Sequence, residues 1–346
     1  MAAIKSVGAS QTGEKILATF PVPYKGVRRD HSEIEIPKDA LWVGENLHFF
    51  QGELRQRPSW NLARNTTIAA PPTTFPITGI FTARRATTRD QFLLVGGTTD
   101  VYALTDGGLG VGWNKIITWG ATRDQYRQVR YTEIAFGTPL VTYVVICNGI
   151  DTPYQFAIPV SSANFAVATA LSGPPAAPAW RDVCTSSDRV VGITDTEVQW
   201  GEALDRSTFP AINVKSLAET TDFCVAIRPL STLNVGVWKE RSFWIGTFAG
   251  GTSATAYRWR LLKWVDGPAA PNALTTDSKG NWFWMTKQGR IVKMEAEGYG
   301  ISFPGDGIWP ITRDQMSLNI TEYGIAHAVY RPFYDEVWFF YGAVTA

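Results

Sequence analysis

The sequence predicts an all-β fold of the β-propeller type, and three observations predict it: an aromatic- and turn-rich composition, a strand-turn-strand unit that recurs at a fixed interval, and complementary half-units at the two ends. Its 14 Trp, 12 Tyr and 18 Phe are interspersed with 31 Gly and 20 Pro. That is the composition of many short strands joined by tight turns. Stretches with helical periodicity are scarce.

The repeating unit is an alternating or wholly apolar run, a polar turn, and a second run that often ends in an aromatic. It occurs at residues 92–104, 143–156, 189–200, 234–245 and 281–294. The turns fall near Thr98, Gly149, Asp195, Glu240 and Gln288, roughly 45 to 51 residues apart, within the window of propeller blades. A further strand precedes the units at 92, 189, 234 and 281, and a following outer strand completes a four-stranded antiparallel blade. The segments Trp119-Gly-Ala-Thr-Arg-Asp-Gln125 and Trp309-Pro-Ile-Thr-Arg-Asp-Gln315, each followed by Thr-Glu, read as equivalent crossings between blades. A third Thr-Arg-Asp-Gln, Thr88 to Gln91, lies in a hairpin turn, so the tetrapeptide alone carries little. Leu171 to Pro178 is a proline-rich connector between blades.

At the ends, residues 326–341 supply two strands and residues 41–60 another two about an apparent Gln51-Gly52 turn. Joined, they would clasp the ring shut and leave no open sheet edge. The expected count is therefore six blades, or seven if the N-terminal hairpin forms its own. Residues 1–38 read as an extended arm and 39–346 as a single propeller domain.

Composition also bounds the chemistry. Lys plus Arg total 32 against 31 Asp plus Glu, a net charge of +1, which gives no overall attraction to DNA or acidic membranes. No apolar run approaches the ~20 residues that span a bilayer, so neither a signal peptide nor membrane insertion is expected. Cys147, Cys184 and Cys224 are odd in number and far apart, and read as small core residues rather than a disulfide framework or a zinc site.

Catalytic constellations are sparse, and no enzyme activity, cofactor or metal is expected. The only histidines are His31, His48 and His327, read as arm, packing or surface residues rather than a catalytic pair. Gly107 to Gly112 follows a turn with no helical pattern behind it, which makes it a poor phosphate cradle. Glycoside hydrolysis needs only two carboxylates, and Asp195, Glu197, Glu202, Asp205, Asp335 and Glu336 are candidates. Nearly all lie on predicted turns and are read as solvated turn residues first. The segment Asp277-Ser-Lys-Gly-Asn-Trp282 approaches the repeated turn of sialidase-like propellers but has different Asp-to-Gly spacing and occurs once. Basic residues at Arg28-Arg29, Arg84-Arg85, Arg123 to Arg130 and Tyr257-Arg-Trp-Arg260 could stack on and neutralise a nucleic-acid strand. Strand alternation predicts the same pattern as a solvent face, which is the reading preferred here.

Two regions resemble the packaged-DNA stabilisation and tail-nozzle proteins of short-tailed phages. One is Asp39 to Pro58, where an Asn-containing strand meets a Gly turn and then Leu54-Arg-Gln-Arg-Pro58. The other runs from Asp188-Arg-Val-Val-Gly-Ile193 through Val198-Gln-Trp-Gly201 and Thr221-Asp-Phe223 to Val237-Trp-Lys-Glu-Arg-Ser-Phe-Trp-Ile245. Together they cover about a third of the chain. The sequence departs from such proteins by stopping soon after Tyr341, where they often continue into further tail domains.

The resemblance implies a structural virion protein of a phage tail or head-tail junction, assembled in the host cytoplasm. It would form a ring of copies, contact adaptor, portal or fibre proteins, and let double-stranded DNA pass without reading its sequence. The implied assembly contacts are Arg28 and Arg29 in the arm, Arg55 and Arg57 on the closing blade, and Lys239 and Arg241 on a hairpin turn. The alternative is a glycan-binding or glycan-cleaving propeller, which exposed Trp residues beside carboxylates on one face would favour. A WD-repeat scaffold is third, because its Gly-His and Trp-Asp marks are missing.

Overall fold

The computed structural model describes residues 47–50, 53–56, 77–88, 91–105, 112–120, 128–158, 169–171, 178–250, 255–296, 298–307, 309–310, 312–313, 326–332 and 335–341, with side chains from residue 77 onward except at 105, 112, 169 and 170. The recurring hairpins of the sequence are the middle pairs of successive blades. Blade one holds β3 (Ile77–Arg84), β4 (Gln91–Gly97), β5 (Asp100–Thr105) and β6 (Gly112–Thr118). Blade two holds β7 (Arg130–Phe136), β8 (Val141–Cys147), β9 (Tyr154–Ala157) and β10 (Thr169–Ala170). Blade three holds β11 (Asp182–Ser186), β12 (Arg189–Ile193), β13 (Glu197–Trp200) and β14 (Val214–Ser216). Blade four holds β15 (Cys224–Pro229), β16 (Asn234–Lys239), β17 (Ser242–Phe248) and β18 (Tyr257–Trp264). Blade five holds β19 (Leu274–Thr276), β20 (Trp282–Met285), β21 (Ile291–Met294) and β22 (Ile301–Ser302).

Every ladder in these sheets is antiparallel between sequence neighbours, the meander that defines a propeller blade. Local chemistry sets the turns. Ser186 pairs with Arg189, and Ser187 and Asp188 between them have φ of 49° and 58°. Two consecutive left-handed residues make the two-residue turn whose twist suits an antiparallel hairpin, and a short polar Asp tolerates that conformation. At the β19–β20 turn the Asp277 carboxylate accepts the Lys279 and Asn281 backbone N–H groups at 2.9 and 2.8 Å. The near-sialidase segment is thus a self-capping turn.

Runs rich in apolar residues mark strands with a blade on either side. All five residues of β12 are buried, as are the first five of β17. Apolar layers fill the gaps between blades: Phe81 and Leu94 meet Val144 and Phe156, and Val145 and Val190 meet Trp180 and Phe209. Further round, Trp200 and Val191 meet Trp244 and Tyr257, and Trp238 and Phe243 meet Trp282 and Trp284. Burying a large apolar side chain contributes about 1.5–3 kcal/mol, so these layers rather than the outer strands hold the blades together. The outer strands β10 and β22 are two residues each.

The closing blade is corrected. The described residues form five four-stranded blades, not six or seven, with two separate hairpins beside them. β1 (Leu47–Phe50) pairs only with β2 (Glu53–Gln56), and β23 (His327–Arg331) only with β24 (Glu336–Phe340). A blade needs a hydrogen-bond ladder from one hairpin to the next, and none joins these two. The C-terminal hairpin instead packs Phe339 and Tyr341 against Met285 and Ala273 on blade five. Tyr330 Oη also lies 3.1 Å from Ser278 Oγ there. The Trp119 crossing does lead from blade one to blade two, and the Trp309 crossing from blade five to β23. Residues 1–38, assigned to the arm, lie outside the described residues.

Candidate functional site

The first strands of successive blades lie side by side, β7 beside β11 and β11 beside β15, and polar residues at or near their ends meet in the middle. Asp182 opens β11 and is fully buried. Its Oδ1 accepts Arg130 Nε and the Val183 N–H, both at 2.9 Å. Its Oδ2 accepts the Ile227 N–H at 3.0 Å and Arg228 Nη1. Four donors use the carboxylate's four lone-pair directions. Burial alone would raise its pKa, but the Arg228 and Arg130 guanidinium groups outweigh that and hold it below the usual carboxylate range.

The network continues across the axis. Arg228 Nη2 donates to Pro271 O at 2.6 Å, and Arg130 Nη1 donates to Asn272 Oδ1. The Asn272 N–H donates to Gln128 Oε1 at 2.6 Å, while Gln128 Nε2 reaches Ala326 O at 3.0 Å. His327 Nε2 sits 3.3 Å from Asn272 Nδ2. Blades two to five and the C-terminal hairpin are therefore tied together by buried and half-buried groups bonded to one another. Such an arrangement holds a fold together and leaves Asp182 no lone pair for a substrate.

A second polar cluster gathers Thr221 to Phe223 and Lys239 to Ser242. Lys239, at the end of β16, is fully buried; its Nζ donates to Leu217 O and Thr220 O, each at 2.9 Å, and lies 3.2 Å from Asp222 Oδ1. Asp222 Oδ2 accepts the Arg241 N–H and Ser242 Oγ, both at 2.9 Å. Burial would raise the Asp222 pKa; hydrogen bonds from Thr220, Arg241 and Ser242, with the Lys239 charge, lower it instead. The Glu240 carboxylate pairs with Lys287 Nζ of blade five at 2.6 Å. Thr221-Asp-Phe223 and Lys239-Glu-Arg-Ser242 are thus two halves of one latch that joins the blade three to four connector to blades four and five.

The latch turn borders an open groove of about 430 Å³ lined by Arg241, Trp264, Asp266, Arg290 and Phe303 among others. Trp264, the last residue of β18, is 67% exposed. Arg290 is committed: it forks onto Asp306 at 3.0 and 3.1 Å and stacks 3.6 Å over the Phe303 ring. No hydrogen bond or ion pair holds the Arg241 guanidinium or the Asp266 carboxylate among the described residues. A larger groove of about 550 Å³ between blades one and two is lined by Arg84, Arg85 and Glu133, and burial raises the Glu133 pKa. Each groove presents one carboxylate among its described lining residues, where glycosidic cleavage needs two.

Of the six sequence-predicted assembly contacts, Arg28, Arg29 and Arg57 lie outside the described residues, and Arg55 is placed on β2 by its backbone alone. Lys239 is fully buried, its ammonium enclosed by the connector between blades three and four. Arg241 is exposed and lines the groove. The candidate acids are dispersed. Asp195 pairs with Arg181 at 2.6 Å, Glu202 lies 3.5 Å from Arg189, and Asp205 caps Ser207. Asp335 accepts from Tyr330 Oη and Glu336 from Trp338 Nε1, both at 2.8 Å, while Glu197 is an exposed strand-end residue. Along β18, Tyr257 points inward and Arg258 and Arg260 outward, the solvent-face alternation. All three cysteines are buried, and burial pushes the Cys224 thiol up to about 12. The axial cluster and the groove were missed; the only sequence signal for the first was polar residues recurring at the blade interval.

The topology defines the chain as a β-propeller. No family model and no curated protein matches it. Solved structures similar to it include a Lactobacillus plantarum protein at 11% identity and a TM-score of 0.40, covering 61% of this chain and 66% of that one. Another is PorZ, a surface component of the type-IX secretion system of Porphyromonas gingivalis, at 12% identity and 0.39, covering 66% and 28%. A Bacteroides uniformis protein named for 6-phosphogluconolactonase aligns at 14% identity and 0.42, covering 74% and 75%. The chain spans just under two thirds of the first of these and less of the second.

Proposed function

We propose that the chain is a structural protein of a phage tail or head-tail junction, present in several copies about the tail axis and acting without catalysis. The observation that carries this is the latch. Two segments of the second region that resembles tail proteins, Thr221–Phe223 and Lys239–Ser242, come together in one polar cluster, which supports reading that region as one structural unit.

The closed centre sharpens the reading. With Asp182, Arg130, Arg228 and Asn272 bonded across the axis, DNA would not thread a single propeller and would run between copies of it. A ring of that kind needs heterologous contacts, one patch of each copy meeting a different patch of the next. A net charge of +1 suits a wall past which a polyanion slides without adhering.

Immunogold labelling of purified particles from a source lysate, with peptide mass spectrometry of the same particles, tests this. Label confined to the tail or neck is expected. Intact particles carrying neither label nor peptides of this chain would overturn it.

A further inference from the structure

We infer that the groove between blades four and five is a binding site for a neutral saccharide, with a sugar ring stacked on Trp264. It does not depend on the tail reading. Four observations converge there. The volume, about 430 Å³, lies in the range of ligand pockets. Trp264 stands 67% exposed at the end of an outer strand, although an indole of that size is ordinarily drawn into a core or an interface.

The third observation is a pair of charged ends held by no hydrogen bond or ion pair, although the Asp266 charge is felt by Arg290. Arg241 and Asp266 line the same groove, and neither terminal group has an intramolecular hydrogen bond or ion pair among the described residues. Four other basic groups are taken up by carboxylates: Arg130 and Arg228 by Asp182, Arg290 by Asp306, and Lys287 by Glu240. The fourth is rigidity. The Arg241 N–H is fixed on Asp222, and the Val265 and Gly267 N–H groups donate to Arg241 O and Glu240 O at 3.1 and 2.9 Å. A Cβ on Gly267 would fall 1.9 Å from Lys239 O, so glycine is required for that close approach. The backbone that carries Arg241 and Asp266 is thus set before any ligand arrives, which reduces the entropy lost on binding.

The chemistry selects the ligand class. A flat π face takes the positively polarised C–H face of a pyranose, by the same quadrupole that orients aromatic pairs. One free donor group and one free acceptor group beside it match hydroxyls, each of which donates and accepts. Asp266 would repel a phosphate or carboxylate ligand, and with Arg290 neutralised by Asp306 the groove lacks the basic excess that a nucleic-acid strand needs. With a single free carboxylate in the lining, the site binds rather than cleaves.

The test titrates the full chain with maltotriose, cellotriose, mannotriose and chitotriose, read by saturation-transfer NMR and tryptophan fluorescence. At least one should bind. Trp264→Ala should weaken it about tenfold or more, with Trp264→Phe recovering part of the loss. Asp266→Asn and Arg241→Gln should each weaken it, and Leu233→Ala, an exposed apolar site on the β15–β16 turn, should leave it unchanged. Saturation transfer from none of the four at millimolar concentration would overturn the inference, as would wild-type binding by Trp264→Ala. Sedimentation that shows self-association lost in Trp264→Ala, with no saccharide bound by the parent chain, would also overturn it and give the groove to a second copy.

Discussion

The axial cluster and the groove both gather arginine and aspartate, yet they treat those charges in opposite ways. At the axis, Asp182 is buried and receives four hydrogen bonds from two arginines and two backbone N–H groups. In the groove, Asp266 and Arg241 are exposed beside an exposed indole, and their charged ends make no hydrogen bond or ion pair among the described residues. The difference teaches where this propeller keeps its fold and where it keeps surface for another molecule. A buried charge must be fully paired or it unfolds the protein, whereas an exposed one is tolerated unpaired and is free to act.

Breaking the axis should have the largest effect. Asp182→Ala leaves Arg130 and Arg228 facing each other without a counter-charge and should cost about 3–5 kcal/mol, read as a lower urea midpoint. Replacing all three residues by apolar ones of similar volume should recover much of that loss, because it also removes the unpaired charges. A triple variant no more stable than the single one would mean that the cluster does more than close the fold. The sign of the pH dependence follows from Asp182 and Asp222, whose folded pKa values are both lowered. Their contribution is fully present above the unfolded carboxylate value of about 4 and is lost as pH falls from there through the lower folded values. Urea midpoints at descending pH should therefore fall below about pH 4, and Asp182→Ala should flatten that fall.

The latch comes next. Lys239→Met removes the ammonium from Leu217 O and Thr220 O and leaves Asp222 beside them without its cation. Because Ser242 and the Arg241 N–H still hold Asp222, the loss should sit near the lower end for a broken buried pair, about 3 kcal/mol. Hydrogen exchange should rise in 217–223 before it rises in blade one, since the latch ties only the connector and blades four and five.

Smaller again is Gly192→Ala. A Cβ there would lie 2.2 Å from the Trp180 ring, which is fully buried with Nε1 3.3 Å from Gln199 Oε1. Displacing that ring should cost about 1–3 kcal/mol. A matching red shift of tryptophan emission would show that Trp180, rather than the backbone, gives way.

The hairpins were legible because their cause is local: β12 and β17 carry the apolar runs Val190–Ile193 and Phe243–Gly246 between polar residues, and Ser187-Asp188 and Asp277 announce their own turns. The blade count was overestimated by one because hydrophobic patterning shows that residues 47–56 and 327–340 make hairpins but not which ladder joins them. The axial cluster left a faint signal. Arg130 and Asp182 are 52 residues apart, Asp182 and Arg228 46, Asn272 and His327 55, close to the beat of the turns, but a polar residue beginning a strand looks like any strand end until the strands are set around an axis. Lys239 misled in the same way, since a lysine at a hairpin turn reads as solvent-exposed and only the connector folding over it makes it buried. The groove was least legible, because Trp264, Asp266 and Arg241 acquire meaning only once blades four and five pack together.

The smallest effect on stability is the one that separates the two regions most cleanly. Trp264→Ala removes an exposed side chain with no cavity to create and no buried partner to strand. Surface changes of that kind stay within about 0.5 kcal/mol, so the urea midpoint should be nearly that of the parent chain. If the midpoint falls by more than that, the indole is packing against blade five and belongs with the core, and its loss of saccharide binding would reflect disturbed walls. If the midpoint holds while binding is lost, the same substitution shows a surface that the fold does not need and a ligand does.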